Sequence, residues 1–196
     1  MAQGQEQRGG SMMNDRMETL DVLVRHVQPL VIPCMRSIVL DALQSTAVEF
    51  FSQTGIWTDE IDDILPAGAC EIEVMPPSGA ELLEVRSISV CNGAPISEDL
   101  WRLQYRTVKF ETINAANDLC VRLDVSLRPS RYAEKIPARF VEEWGDALTQ
   151  GALARLKSMS GVKIEWTDRE GAAIAQSLYD QGMAQARAQQ FDGIRS

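Results

Sequence analysis

The sequence predicts an α+β fold: a helical bundle of about three main helices with an antiparallel β-sheet inserted between the first helix and the last two. Three observations lead there. Apolar residues recur at spacings of three and four over 34–53, the period drops to two within about 56–128, and the helical spacing returns over 137–159 and 167–190. The chain has 196 residues, enough for a sizeable core without staples.

The opening MAQGQEQRGGSMMNDR is polar and glycine-bearing and lacks an apolar h-region. It reads as a disordered arm over 1–16 or an expression remnant, and not as a secretion signal. A single domain over 17–190 and a short tail over 191–196 are expected to follow. METLDVLVRHVQPLV, Met17 to Val31, reads as a helical turn leading into an extended stretch ended by Pro29 and Pro33. The helix over 34–53 is expected to turn Met35, Ile38, Val39, Ala42, Thr46 and Phe50 inward and to stop at Gly55.

The alternation of Cys70, Ile72 and Val74 with Glu71 and Glu73 predicts a strand, and Pro76 to Gly79 a turn. From Leu82 to Cys91 the phase slips: Leu83 and Val85 fall on one side, Ile88 and Val90 on the other, as a bulge near Ser87 would produce. Asn92-Gly93 is a hairpin signal. Trp101, Leu103 and Tyr105 are then expected as the returning strand, with Val108 to Glu111 pairing again. Leu119, Val121, Leu123, Val125 and Leu127 make the cleanest alternation.

Pro137 suits a first helical turn, which tolerates a missing N–H. Val141, Trp144, Leu148, Ala152, Leu156 and Met159 then trace one face towards a stop at Gly161. Thr167 and Glu170 have capping-box spacing, and Gly171, Ala175, Leu178, Gly182 and Ala186 line one side of the last helix. This inward face is small where a core helix is usually bulky.

Chemical signatures are sparse. His26 is the only histidine, and no G-x-G-x-x-G, G-x-x-x-x-G-K-[ST] or G-x-S-x-G occurs. Cys34, Cys70, Cys91 and Cys120 form no C-x-x-C pair. Cys70 and Cys120 fall at inward strand positions, so buried thiols are expected in preference to disulfides or zinc ligands. Asp59, Glu60, Asp62 and Asp63 lack the glycine and terminal glutamate of a calcium loop and read as a solvated acidic turn. Trp101 and Trp144 read as core, Trp57 and Trp166 as packing anchors. No catalytic residue, cofactor or metal site is assigned.

The net charge of -9 argues against a dedicated nucleic-acid binder, and no apolar run approaches the roughly 20 residues of a membrane span. The sign is unevenly distributed. Asp41, Glu49, Asp59, Glu60, Asp62, Asp63, Glu71 and Glu73 have no Lys or Arg among them, whereas Arg128, Arg131 and Lys135 face only Glu134. Two solvated faces, or complementary edges of neighbouring subunits, both fit.

The stretches CMRSIVLDALQSTAVEFFSQTGIWTDE, PPSGAELLEVRSISVCNGAPI and GALARLKSMSG with WTDREGAAIAQSLYDQGMAQARAQQ occur in this order. Together they resemble the head-tail connector adaptor proteins of tailed bacteriophages. The likeness covers about Cys34 to Gln190; the polar arm before Met17 departs from it. The resemblance implies a virion protein made in the bacterial cytoplasm, without catalysis. It implies a ring, usually a dodecamer, docked under the portal protein, joined to a downstream tail or nozzle protein and passing double-stranded DNA non-specifically. It also places Arg187, Phe191, Ile194 and Arg195 in grooves between portal subunits. Lining of the DNA channel by Asp59, Glu60, Asp62 and Asp63 is a further expectation, since carboxylates would keep the duplex from sticking. A tail-completion or stopper neck protein, or a small enzyme or regulatory domain, are the alternatives the sequence leaves open.

Overall fold

The computed structural model describes residues 16–91, 93–111, 117–161 and 164–193, the last three by backbone alone. In chain order the elements are β1 (Met17–Thr19), α1 (Asp21–Val27), a 3-10 turn (Gln28–Leu30), α2 (Arg36–Thr54), β2 (Thr58–Leu65), β3 (Glu71–Glu73), β4 (Ala80–Val90) and β5 (Pro95–Ile96). After a second 3-10 turn (Glu98–Leu100) come β6 (Trp101–Gln104), β7 (Thr107–Phe110), β8 (Leu119–Pro129), β9 (Lys135–Pro137), α3 (Ala138–Ser158) and α4 (Arg169–Gly193). The fold is α+β, with antiparallel pairing inserted between α2 and α3.

The strands form three sheets, β1-β9, β2-β8-β4-β5 and β3-β7-β6. The described residues fall into two compact units. One holds Asp59–Met75 and Glu84–Val125; the other holds the chain up to Thr58, Pro76–Leu83 and everything from Ser126 onward.

In the helical unit α2, α3 and α4 share a core. Phe50 and Phe51 are fully buried; Phe50 meets Trp144 at 5.7 Å and Tyr179 at 6.2 Å between ring centroids, and Phe51 meets Phe140 at 5.0 Å. Large rings here require small partners. A Cβ added at Gly151 would lie 2.5 Å from Thr46 Cγ2 and 2.8 Å from Tyr179 Cδ2, and one at Gly182 would lie 2.6 Å from Ala147 Cβ. The small face of the last two helices therefore lets their backbones approach and seats the Tyr179 ring over Gly151. Gly151→Ala is expected to lower stability by about 1–2 kcal/mol, because overpacking outweighs the gain of about 1 kcal/mol in helix propensity. A urea midpoint equal to or above wild type would contradict this reading of Gly151.

Helix ends follow local chemistry. Gly55 terminates α2 in the left-handed region, φ 60°, and its N–H donates to the Phe51 carbonyl at 2.9 Å. Asp168, and not Thr167, caps α4: its Oδ1 accepts from Gly171 N–H at 2.9 Å, while Thr167 Oγ1 donates to the Met159 carbonyl at 2.6 Å. A carboxylate one residue later satisfies the orphan N–H, so the capping box does not form.

Other expectations change. The segment Met17–Val31 contains a strand paired to β9 through Met17↔Pro137 and a helix burying Leu23, Val24 and Val27, in place of a turn and an extended stretch. Met35 and Met159 are exposed, Met35 by 65%, because the apolar stripe outruns the neighbours that could cover it. On α4, Leu178 is 45% exposed and Tyr179 is buried: the helix is rotated so that the ring, with more area to bury, points inward.

In the sheet unit Ile72, Val85, Ile88, Val108, Phe110, Val121, Leu123 and Val125 are buried. Val85 and Ile88, three apart, carry the phase slip, and Ser87 between them donates to Asp124 on β8. The chain does turn back after β4, with Ile88↔Ile96 and Ser89↔Pro95 paired; Asn92 itself lies outside the described residues. The return is only two residues long. Trp101–Gln104 instead pairs with β7, through Trp101↔Phe110 and Gln104↔Thr107. Tyr105 therefore leaves the strand for the two-residue β6–β7 turn, with φ 61°.

The cysteine expectation is overturned. Cys91 and Cys120 form a disulfide, with Cys91 N–H also donating to the Cys120 carbonyl at 3.0 Å; Cys70 is exposed and Cys34 buried. Cys91 follows β4 and Cys120 opens β8, and these strands are neighbours, a pairing that a sequence separation of 29 conceals. Cys120 takes an outward position of β8, whose buried phase is Val121, Leu123 and Val125.

Candidate functional site

The four acids expected to line a channel, Asp59, Glu60, Asp62 and Asp63, lie on a strand, β2, and not in a turn. β2 is an edge of its sheet, and alternation sends Glu60 and Asp62 to one face and Asp59 and Asp63 to the other. Arg122 on the adjoining β8 binds Asp62 in a fork, at 2.7 and 2.9 Å, and reaches Glu60 at 3.8 Å. The guanidinium holds the Asp62 carboxyl below its ordinary range, and Asp62 in turn raises Arg122. Asp59 and Asp63 accept the N–H of the residue that follows each, at 2.9 and 2.7 Å. The strand thus offers fewer free carboxylates than its sequence suggests. Among the described residues no group of His, Cys, Asp and Glu could hold a metal ion.

Of the docking residues, Arg187 is placed against the end of α2. Its Nε donates to the Gln53 carbonyl and its Nη2 to Gln53 Oε1, both at 3.1 Å, and Gln190 Nε2 donates to the Gly55 carbonyl at 3.1 Å. A cation and an amide here satisfy carbonyls that the end of α2 leaves without helical donors. The α4 helix continues through Phe191 to Gly193, while Ile194 and Arg195 lie outside the described residues. The sequence carried no signal for the Arg187–Gln53 contact, which spans 134 positions.

No protein-family model matches the chain, and no curated protein matches it.

Charge asymmetry between the two segments is reduced by pairing within the chain. Arg128 binds Glu81 at 3.1 Å, and Arg155 pairs with Glu49. Lys157 binds Asp168 at 3.0 Å, linking α3 to the cap of α4. The Gly171 N–H and then Lys157 lower the Asp168 pKa. A depressed carboxylate stabilises the fold above its unfolded pKa, about 3.9, and this contribution is lost as pH falls through the lower folded value. Asp168→Asn is therefore expected to melt earlier than wild type at pH 7, with the gap closing as pH falls through the lowered folded pKa. A gap unchanged across a pH series would show that charge at Asp168 has no part in it.

Among the described residues no helix is long and apolar enough to cross a membrane. Trp101 Nε1, Trp144 Nε1, Trp166 Nε1, Ser126 Oγ and the Tyr179 hydroxyl are buried without hydrogen-bond partners among the described residues. Burial pushes the Tyr179 hydroxyl pKa up. Tyr179 contributes its ring to the core.

Proposed function

We propose that this chain is a structural head-to-tail adaptor of a tailed bacteriophage. Copies of it form a ring, dodecameric by the resemblance, that docks under the portal protein, meets a tail or nozzle protein below and surrounds the passing DNA. The observation that carries the reading is where the resembling segments fall. They form α2, the start of β2, β4 with β5, the C-terminal part of α3 and most of α4, so the likeness follows the framework of the molecule and not one surface loop. A framework stiffened by close helix contacts suits a part that acts by shape, since ring closure requires each copy to present two complementary surfaces at a fixed angle.

In this reading Arg187 fixes the last turns of α4 on α2, and Phe191, Ile194 and Arg195 are the residues that contact the portal. Of the four acids of β2, Asp59 and Asp63 share the face turned to the DNA conduit, while Asp62 and Glu60 lie on the opposite face with Arg122. The primary experiment mixes the purified chain with the portal protein of the same genome and measures mass by light scattering, then images the neck of the particle. A stoichiometric portal complex and ring density at the neck are expected; no portal binding and no neck density would end the reading. Ending the chain after Gln190 is expected to weaken portal binding, and Asp59→Asn with Asp63→Asn to slow DNA ejection.

A further inference from the structure

Tyr105 is 88% exposed and has the only positive φ of a non-glycine among the described residues, 61°. With Arg106 it forms the whole turn between β6 and β7, since Gln104 pairs directly with Thr107. A two-residue hairpin turn whose first residue alone has positive φ favours glycine there. The chain instead places a β-former with a bulky ring at the point of greatest strain and leaves the ring in water. The ring buries little of its surface in the fold.

The tip presents a defined chemistry. Arg106 stacks its guanidinium 5.6 Å from the Tyr105 ring centre and makes no ion pair among the described residues, whereas the nearby Arg102 and Lys109 are bound to Glu111 and Glu71. The Arg106 carbonyl accepts Val74 N–H at 2.7 Å, tying the turn to the chain beyond β3. The tip therefore projects one aromatic face and one unneutralised cation. Tyrosine and arginine are the residue types that concentrate binding energy at protein interfaces.

We propose that the Tyr105–Arg106 tip is a contact with a second copy of this chain, seated on that copy's edge strand β2. Charge complementarity selects the occupant. The chain carries a net charge of -9, so a cationic tip lowers the repulsion between copies. On β2, Ile64 is 52% exposed and shares a strand face with Glu60, an exposed carboxylate held by Arg122 only at 3.8 Å. The tyrosine ring covers Ile64 and the guanidinium meets Glu60. Because tip and edge are different surfaces, the contact is head-to-tail and repeats from copy to copy. The inference deepens the adaptor reading by assigning the contact between neighbours, and rests on it for the ring.

The test uses the purified full chain alone, by sedimentation velocity over a concentration series, with a melting curve for each variant. Tyr105→Gly is expected to melt higher than wild type, since it removes the strain, yet to associate at least about ten-fold more weakly. A contact that served only the fold would move both quantities in the same direction. Arg106→Glu and Glu60→Lys are each expected to weaken association, and the double variant to regain most of it. A wild type that stays monomeric throughout, a Tyr105→Gly variant that associates as wild type does, or a double variant without recovery overturns the proposal. Neck density with a failed tip test leaves the adaptor reading standing and removes this contact; normal tip-dependent association without portal binding does the reverse.

Discussion

Replacing Phe50 with alanine is expected to cost about 3–5 kcal/mol of folding stability. The ring is fully buried on α2 and meets Phe51, Trp144 and Tyr179, so its loss empties the place where α2, α3 and α4 converge. The neighbours cannot collapse into the space easily. Tyr179 is already seated against Gly151, and Trp144 is buried on the first half of α3. Against a total stability of roughly 5–15 kcal/mol, such a loss leaves a marginal fold. Met35→Ala is the informative companion. Both residues belong to the apolar stripe of the sequence, yet Met35 is exposed, and its removal is expected to change stability by less than about 0.5 kcal/mol. Urea unfolding followed by near-ultraviolet circular dichroism, which reports the packing of Trp144, distinguishes the two. Equal effects would mean that the core does not lie where the structure puts it.

Breaking the Cys91–Cys120 bond is expected to destabilise the sheet unit by about 3–4 kcal/mol. The bond joins residues 29 apart, and opening a loop of that size returns that much chain entropy to the unfolded state. The closed loop contains β5, β6 and β7, so the Tyr105 hairpin depends on it. Cys91→Ser, Cys120→Ser and reduced wild type should all melt at the same lower temperature, and reduction should not shift either variant further. Cys70→Ser, at an exposed free thiol, should melt with wild type. If oxidised and reduced wild type melt together, the bond does not form in solution and Cys91 and Cys120 are free thiols.

The helices were legible because their signals are local. The repeat of Val39, Ala42, Thr46 and Phe50 gives α2, and Trp144, Leu148, Ala152 and Leu156 give α3, each confirmed by burial. Sheet partners were less accessible. Trp101 to Gln104 has the alternation of a strand, but alternation names no neighbour, and the strand pairs with β7 in another sheet from β4. The same limit hid the disulfide and the Arg122–Asp62 fork, both set by which strands lie side by side.

Within the proposed surfaces, the sequence supplied the acids of β2 and the position of Arg187 on the last helix. It could not show that Arg122 claims two of those acids or that Arg187 is spent on Gln53. Tyr105 was misplaced within a strand, because a tyrosine in alternating register is the ordinary appearance of a strand residue and a positive φ leaves no mark in composition.

By itself, the order of residues determined the helical period of α2, α3 and α4, the alternation of β3 and β8, the stop at Gly55 and the small face of α3 and α4. Each of these follows from interactions within a few positions of the chain. Only the tertiary structure decided which rings meet at Gly151, which cysteines join, which carboxylates remain unpaired and that Tyr105 stands exposed at a strained turn. Those outcomes depend on contacts between residues tens of positions apart, where the balance of burial, charge and strain is fixed by the partner and not by the residue.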